Sequence, residues 1–399
     1  MRILQICNKP AFPPIDGGAI GINNVTVGFL ANGHSVKILS VNTPKHFVKR
    51  EELPEEYLKK TQIEFVFINT EINVFSAFLN LFTSNSYHIS RFYSKDFEEK
   101  LIEILLLQQF DLIQIETIFL HNYIATIRRF SRAKIVLRAP NVEYIIWERI
   151  ALEENNPIKK WYLNLLSNRL KREELACIHK FDALYTVTEQ DRLFFVNTGF
   201  KGKTAFIPTG LDVTKQINQL QLEEENESIF FIGALDWIPN QEGIFWFVKE
   251  VFPVLLKKFP HLKFYIAGRR PHQKILELHS ENIKVIGEVE DAANYMQSKG
   301  IMIVPLFSGS GMRVKIIEGM MLSKAIVTTS IGIEGIEHIA GENILIADKK
   351  ETFAQHILQL LEDKNFYLGI KTKAKIFVEQ NYSAEILDRK LGEFIVDII

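Results

Sequence analysis

Short apolar runs alternate with longer amphipathic stretches from one end of the chain to the other. Residues 3–7, 35–41, 63–68, 111–115 and 134–137 read as strands, and 183–187 and 204–207 add two more. Most positions in these runs are apolar, which is the pattern of strands covered on both faces. Helical stretches lie between them, among them 20–32, which stops at Gly33, and 157–180. Strand–helix alternation of this kind implies a parallel, doubly wound α/β sheet. A second series has strands at 229–232, 263–267, 283–286, 301–304 and 325–328, with one long helix predicted over 240–258. The chain thus reads as two α/β domains, 1–210 and 211–380. A last helical segment, 381–399, places Ile386, Leu387, Leu391 and Phe394 near one face. The acidic stretch QLQLEEENES at 219–228 has the composition of a linker.

Open parallel sheets bind ligands past the carboxyl ends of their strands, so the residues after each strand come first. The best candidate is PLFSGSGMRVKIIE, residues 305–318. Gly309 and Gly311 allow a tight bend and close backbone approach, and a helix predicted from Met312 aims its free N–H groups at that bend. Arg313 and Lys315 fall in the first turn, where the helix dipole disfavours cations. That placement makes sense if a strongly negative group, such as a diphosphate, sits between them and the turn. Asp16, Gly17 and Gly18 follow the first strand and are either a second ligand rim or a plain Pro/Gly turn. Glu116 and Arg138 end neighbouring strands, with Asn141 and Glu143 just beyond. The apolar segment 74–92 reads as a helix packed on the core, with an acceptor-side or membrane-facing lid as the alternative. The charged face of 157–180 reads as solvated rather than lipid-binding.

Composition narrows the classes. At 399 residues, 47% of them hydrophobic, the chain can bury two cores. A formal charge of -1 and the lack of a basic block argue against nucleic acid as a partner. Cys7 and Cys177, in an expected strand and helix, read as reduced core thiols. MRILQICNK runs straight into a strand, and no run reaches the ~18 apolar residues of a membrane span. A cytoplasmic location is therefore expected, leaving open a peripheral contact at the inner face of the membrane. The sequence has no Asp-x-Asp pair, so no metal site is expected.

GALDWIPN, YIAGRRP, VIGEVED and PLFSGSGMRVKIIEGMMLSKAIVTTSIGIEGI occur in an order and spacing that resembles the nucleotide-sugar-binding domain of the group 1 (family 4) retaining glycosyltransferases. PPIDGGA, DLIQIE, APNVEY and IPTGLD are looser matches in the first half. The resemblance is specific from about residue 231 to 335. It implies the GT-B fold: two Rossmann-like domains facing a cleft, with the C-terminal helix returning to the first.

Carried over to this chain, the resemblance implies that Glu318 is the second of the family's two spaced glutamates and binds the nucleotide ribose, since a carboxylate accepts from both hydroxyls of a diol. Ser308, Gly309 and Ser310 stand where the family has the first glutamate, and backbone N–H groups of Gly309 to Gly311 are expected to assume part of its role. GALDWIPN lacks the family's usual arginine and lysine, and Arg313 and Lys315 read as their replacement at the diphosphate. Gly17, Gly18, Gly268, Arg269, Val289 and Met312 complete the donor set. Asp16, Arg138 and Asn141 are expected on the acceptor side. Glu116, where the family usually has a histidine, joins Arg313 and Lys315 as a catalytic candidate. Asp236 and Asn240 read as turn and N-cap residues. The implied activity is transfer of a hexosyl group from a nucleoside diphosphate donor to a glycan or lipid-linked acceptor, with retention, in surface polysaccharide synthesis and without a cofactor. A nucleotide-sugar epimerase of the same fold and a catalytically silent partner subunit are the alternatives.

Overall fold

A computed structural model of the chain describes residues 1–71, 80–210, 223–308 and 312–399. The chain divides into two units, Met1–Gly210 with Ala384–Ile399, and Leu211–Ser383. Both are doubly wound, Rossmann-like α/β units of the kind the sequence predicts.

The first unit holds strands β1 (Arg2–Cys7), β2 (Ser35–Asn42), β3 (Glu64–Phe67), β4 (Leu112–Glu116), β5 (Lys134–Ala139), β6 (Ala183–Thr186) and β7 (Lys203–Phe206), paired in parallel in the order β3-β2-β1-β4-β5-β6-β7. The order reverses between β1 and β4, so Cys7 and Glu116 end the strands at the switch point. Period-two alternation sorts side chains between the faces. Leu4, Ile6, Ile113, Ile115, Ile135 and Leu137 join one core cluster, and Ile3, Cys7, Ile38, Leu112 and Val136 the other. The second cluster also takes Phe29 from the first helix, Gly17–Ala31, and Leu387, Leu391 and Phe394 from the C-terminal helix, Ala384–Val396. These helices approach closely at Gly28, where a Cβ would stand 3.0 Å from Leu387 and 3.1 Å from Leu391. Asn32 Nδ2 donates to the Asp388 carbonyl at 2.9 Å across the same contact.

In the second unit β8 (Glu225–Ile232), β9 (Lys263–Ala267), β10 (Ile283–Gly287), β11 (Lys299–Val304), β12 (Ile326–Thr328) and β13 (Leu345–Ile346) run parallel in the order β10-β9-β8-β11-β12-β13. The switch point lies between β8 and β11. Phe230 and Phe231 on β8, and Met302, Ile303 and Val304 on β11, are fully buried. At two residues, β13 is too short to stand out as an apolar run.

Three expectations are corrected. The helix over 240–258 is three segments: Ile238–Trp246, a π-helical turn Phe247–Val251, and Phe252–Leu256. Pro253 has no N–H and its ring crowds the carbonyl one turn back, so the regular ladder gives way just before it. Within the stretch read as a linker, 223–228 belongs to the fold and 219–222 lies outside the described residues. Glu225 opens β8 and accepts from Lys299 and Tyr265, while Glu224 accepts from Lys324 and Lys371 at 2.7 Å each and from Tyr367. An acid that looks solvated in the sequence, Glu224, is here the counter-charge of Lys324, which is 1% exposed.

The face of Pro157–Cys177 expected to be solvated is partly engaged as well. Arg169 donates to the Asn80 and Leu81 carbonyls, and Glu173 accepts from the Ser86 amide and His121. Tyr87, Ile89 and Phe92 are buried, so residues 86–92 pack on the core, whereas 82–85 are exposed and 74–79 lie outside the described residues. Cys7 and Cys177 are buried free thiols. Among the described residues no helix is long and apolar enough to cross a membrane.

Candidate functional site

In the second unit the chain leaves β11 through Pro305, Leu306 and Ser308 and enters the helix Val314–Met321. Gly309, Ser310 and Gly311 lie outside the described residues. Ile316, Ile317, Met320 and Met321 bury one face of that helix against the core, which orients its opposite face. Arg313 stands at the N-cap, one residue before the helix rather than inside its first turn, and is 6% exposed with its guanidinium 5.8 Å from the Trp237 ring.

Lys315 Nζ donates to Asn240 Oδ1 at 3.1 Å and lies 4.2 Å from the Phe231 ring. Asn240 is itself held by Nδ2 donating to the Ala234 carbonyl at 2.7 Å, so it links the turn after β8 to the helix after β11. Gly233 leaves the space, since a Cβ there would stand 3.1 Å from Lys315 Nζ. Burial, reinforced by Arg313, pushes the Lys315 ammonium down to about 7. One turn on, burial raises the Glu318 carboxyl above its ordinary value. No described side chain pairs with it. The Ser308 hydroxyl donates to Glu242 Oε2 at 2.8 Å, a carboxylate the sequence reading did not single out.

The neighbouring strand ends are locked around Gly268. Its N–H donates to the Gly287 carbonyl at 2.7 Å, its φ is +148°, and a Cβ would lie 1.6 Å from the Gly233 carbonyl oxygen. No other residue fits there without moving the backbone. The Arg269 carbonyl accepts from the Leu235 amide at 2.9 Å, and Asp236 pairs with Arg270 at 3.4 Å. Val289 is half-buried past β10, and Met312 half-buried just before Arg313. The fold thus gathers Arg313, Lys315 and Asn240 at the carboxyl ends of β8 and β11, with Glu318 one turn along the same helix.

In the first unit Asp16 is the N-cap of Gly17–Ala31. Its carboxylate accepts from the Ala19 amide at 2.9 Å and from Lys9 at 2.6 Å, and pairs with His46 Nε2 at 3.0 Å. Burial acts to raise this carboxyl, but His46 and Lys9 outweigh it and hold it well below the usual range. A Cβ at Gly18 would stand 2.4 Å from Lys9 Nζ, the movable end of that side chain.

Glu116 and Arg138 are placed differently from the expectation of a ligand-facing rim. Glu116 is fully buried, and its carboxylate accepts from Gln5 at 2.8 Å, Gln114 at 2.5 Å and Arg138 at 3.0 Å. The two residues are register partners on β4 and β5, and Arg138 is 4% exposed. Glu116 therefore anchors an internal polar network instead of presenting a carboxylate to a ligand. Asn141 is half-buried, and burial pushes the neighbouring Glu143 carboxyl up to about 7. A second network went unread: Glu174 accepts the Glu143 and Tyr144 amides at 3.0 and 2.9 Å, capping Glu143–Glu153 from another helix. A capping acid 31 residues away carries no local signal. Among the described residues no cluster of three His, Cys, Asp or Glu is arranged to hold a metal ion.

Residues 226–363 match the family model described as Glycosyl transferases group 1. Over 395 residues the chain is 22% identical to an uncharacterized 44.6 kDa protein in the cps region of Klebsiella pneumoniae, covering 96% of this chain and 97% of that protein. Among solved structures it resembles Anabaena HepE in complex with UDP (TM-score 0.65, 14% identity, 100% of both chains). It also resembles sucrose-phosphate synthase from Thermosynechococcus elongatus (TM-score 0.70, 12% identity, 100% of this chain and 99% of that one). At these identities the likeness speaks for the fold.

Proposed function

We propose, for a chain whose residues 226–363 are a group 1 glycosyltransferase domain, that the second unit binds a nucleoside diphosphate sugar and the protein transfers the sugar to an acceptor held by the first unit. The observation that carries this reading is the placement of two cations, the buried Arg313 and the half-buried Lys315, at the start of one helix, with Glu318 one turn along it. A diphosphate is complementary in charge to both cations and to the N-terminal end of the helix. A ribose diol satisfies the carboxylate. One bound nucleotide thus answers both groups.

The difficult event in transfer is departure of the diphosphate. Negative charge grows on its inner oxygen as the sugar becomes oxocarbenium-like. Cations already fixed where that charge develops stabilise the transition state more than the ground state. Binding would also return a proton to Lys315, whose affinity for it is weakened in the empty site. Retention of configuration is our reading for the reaction, from the resemblance in the donor half. No divalent ion is needed in it, because the two side chains supply the positive charge. The Klebsiella relative from a cps region supports a role in surface polysaccharide synthesis.

The deciding experiment incubates the purified chain with a panel of nucleotide sugars, with and without candidate glycan acceptors. Diphosphate release that rises on adding acceptor is the expected result. Interconversion of the donor sugar without acceptor would instead make it an epimerase. Tight nucleotide binding with no turnover across the panel would make it a silent subunit.

A further inference from the structure

The carboxyl ends of β1, β2 and β3 border a cavity of about 430 Å³ that lies wholly within the first unit. That volume falls in the range of small-molecule sites, roughly 300 to 1,000 Å³. Lys9 follows β1, Lys45 and His46 follow β2, and Arg91 and Phe92 come from the segment 86–93. The nearby Asp16 carboxylate is already committed to Lys9, His46 and the Ala19 amide. The one acid on the wall, Glu71, is exposed. Two cations are left over. Arg91 is half-buried and anchored by Nη1 donating to the Thr70 carbonyl at 3.3 Å, and no described carboxylate meets its guanidinium. Lys45 is exposed, and no described side chain accepts from it.

Opposite charge is not the only feature. Phe92 is 7% exposed, stacks on Phe119 at 5.3 Å with 10° between the rings and carries the Arg91 guanidinium 5.5 Å from its centroid, so a rigid apolar edge of it borders the cavity. Asn8 adds an amide, and Thr43 and Thr70 lie on the same wall. An apolar edge beside an amide, hydroxyls and a guanidinium suits a sugar ring that bears an anion. A bare inorganic anion has no use for the apolar edge.

We propose that this cavity receives an acidic sugar residue of the acceptor, a pyranose bearing a carboxylate, with its ring beside the edge of Phe92 and its carboxylate between Arg91 and Lys45. The inference rests on the glycosyltransferase reading, since it names the acceptor class for that reaction. The guanidinium forks onto a carboxylate, while Asn8 and Lys9 face the ring hydroxyls.

The test is calorimetric titration of the whole chain with a glucuronate-containing oligosaccharide, the same oligosaccharide after carboxyl reduction, and a phosphorylated sugar. The acidic form should bind at least about tenfold tighter than the reduced form, with the difference shrinking as salt rises. Arg91→Gln and Lys45→Gln should each erase most of that difference. Lys45 is exposed, so its variant keeps the fold even if Arg91→Gln does not. Equal affinity for the acidic and reduced forms overturns the proposal, as does preference for the phosphorylated sugar or indifference to Lys45→Gln. A parallel titration with UDP separates the two readings. UDP binding without uronate binding sinks this inference and leaves the transferase. Uronate binding without any nucleotide binding keeps the cavity and sinks the transferase.

Discussion

Lys315 Nζ donates to Asn240 Oδ1 at 3.1 Å and rests 4.2 Å from the centre of the Phe231 ring. An amide and a π face surround the ammonium, no described carboxylate meets it, and Arg313 stands at the start of the same helix. In the empty protein its proton is held weakly, with the ammonium brought down to about 7 by burial and then by Arg313. A folded value below the unfolded one, ~10.4 for lysine, means the unfolded chain binds more protons between the two. Stability of the unliganded protein should therefore rise from about pH 7 towards pH 10. A bound diphosphate favours the charged amine, so UDP affinity should fall as pH rises through 7, and Lys315→Arg should flatten that fall. Isothermal titration between pH 6 and 9 reads both. A pH-independent affinity in the wild type would count against the phosphate role.

Removing either cation should damage catalysis more than folding. Arg313→Ala and Lys315→Ala should each lower turnover by roughly 10² or more, the scale set by losing one preorganised charge contact. Unfolding midpoints should stay near wild type. Turnover within threefold of wild type in both variants would remove the proposed site.

Glu318 should trade stability for binding. Its carboxyl is raised by burial with no described partner, so the folded state carries a charge penalty at neutral pH that grows as pH rises above the unfolded value. Glu318→Gln should raise the thermal midpoint of the empty protein and weaken UDP binding by about tenfold or more, since a neutral amide has one acceptor oxygen in place of two. Calorimetry on the same two samples decides it. Unchanged UDP affinity would remove the ribose role.

The Glu116–Arg138 pair should prove structural. Arg138→Met leaves a carboxylate with no cation at a fully buried site, which typically costs about 3 to 5 kcal/mol. The double variant Arg138→Met, Glu116→Gln should recover a large part of that loss in denaturant unfolding, because the orphaned charge is gone. If Glu116→Gln alone abolished turnover while leaving stability intact, a direct role in chemistry would have to be restored.

Glu224 holds the second unit together in a comparable way. Its carboxylate meets Lys324, Lys371 and Tyr367, and burial lowers the Lys324 ammonium to about 8 even with that partner in place. Glu224→Gln should destabilise the protein by about 3 to 5 kcal/mol, with Lys324→Met in the same background restoring part of it. Additive losses in the double variant would show that the two residues do not share one interaction.

Strand runs such as 3–7 and 301–304 were legible in the amino-acid sequence because a strand buried on both faces is apolar at most of its positions. The candidate phosphate turn was legible because glycine and cation placement against a helix start is a local pattern. The roles of Glu224, Glu174 and Glu116 depended on tertiary structure, since each pairs with groups tens of residues away, and whether a carboxylate is solvated or buried is set by what packs over it. The same holds for Asn240, expected as an N-cap but placed inside the first turn of Ile238–Trp246, where Lys315 reaches it. Local propensity and spacing are written along the chain, whereas charge compensation and desolvation exist only once distant segments share one low-dielectric interior.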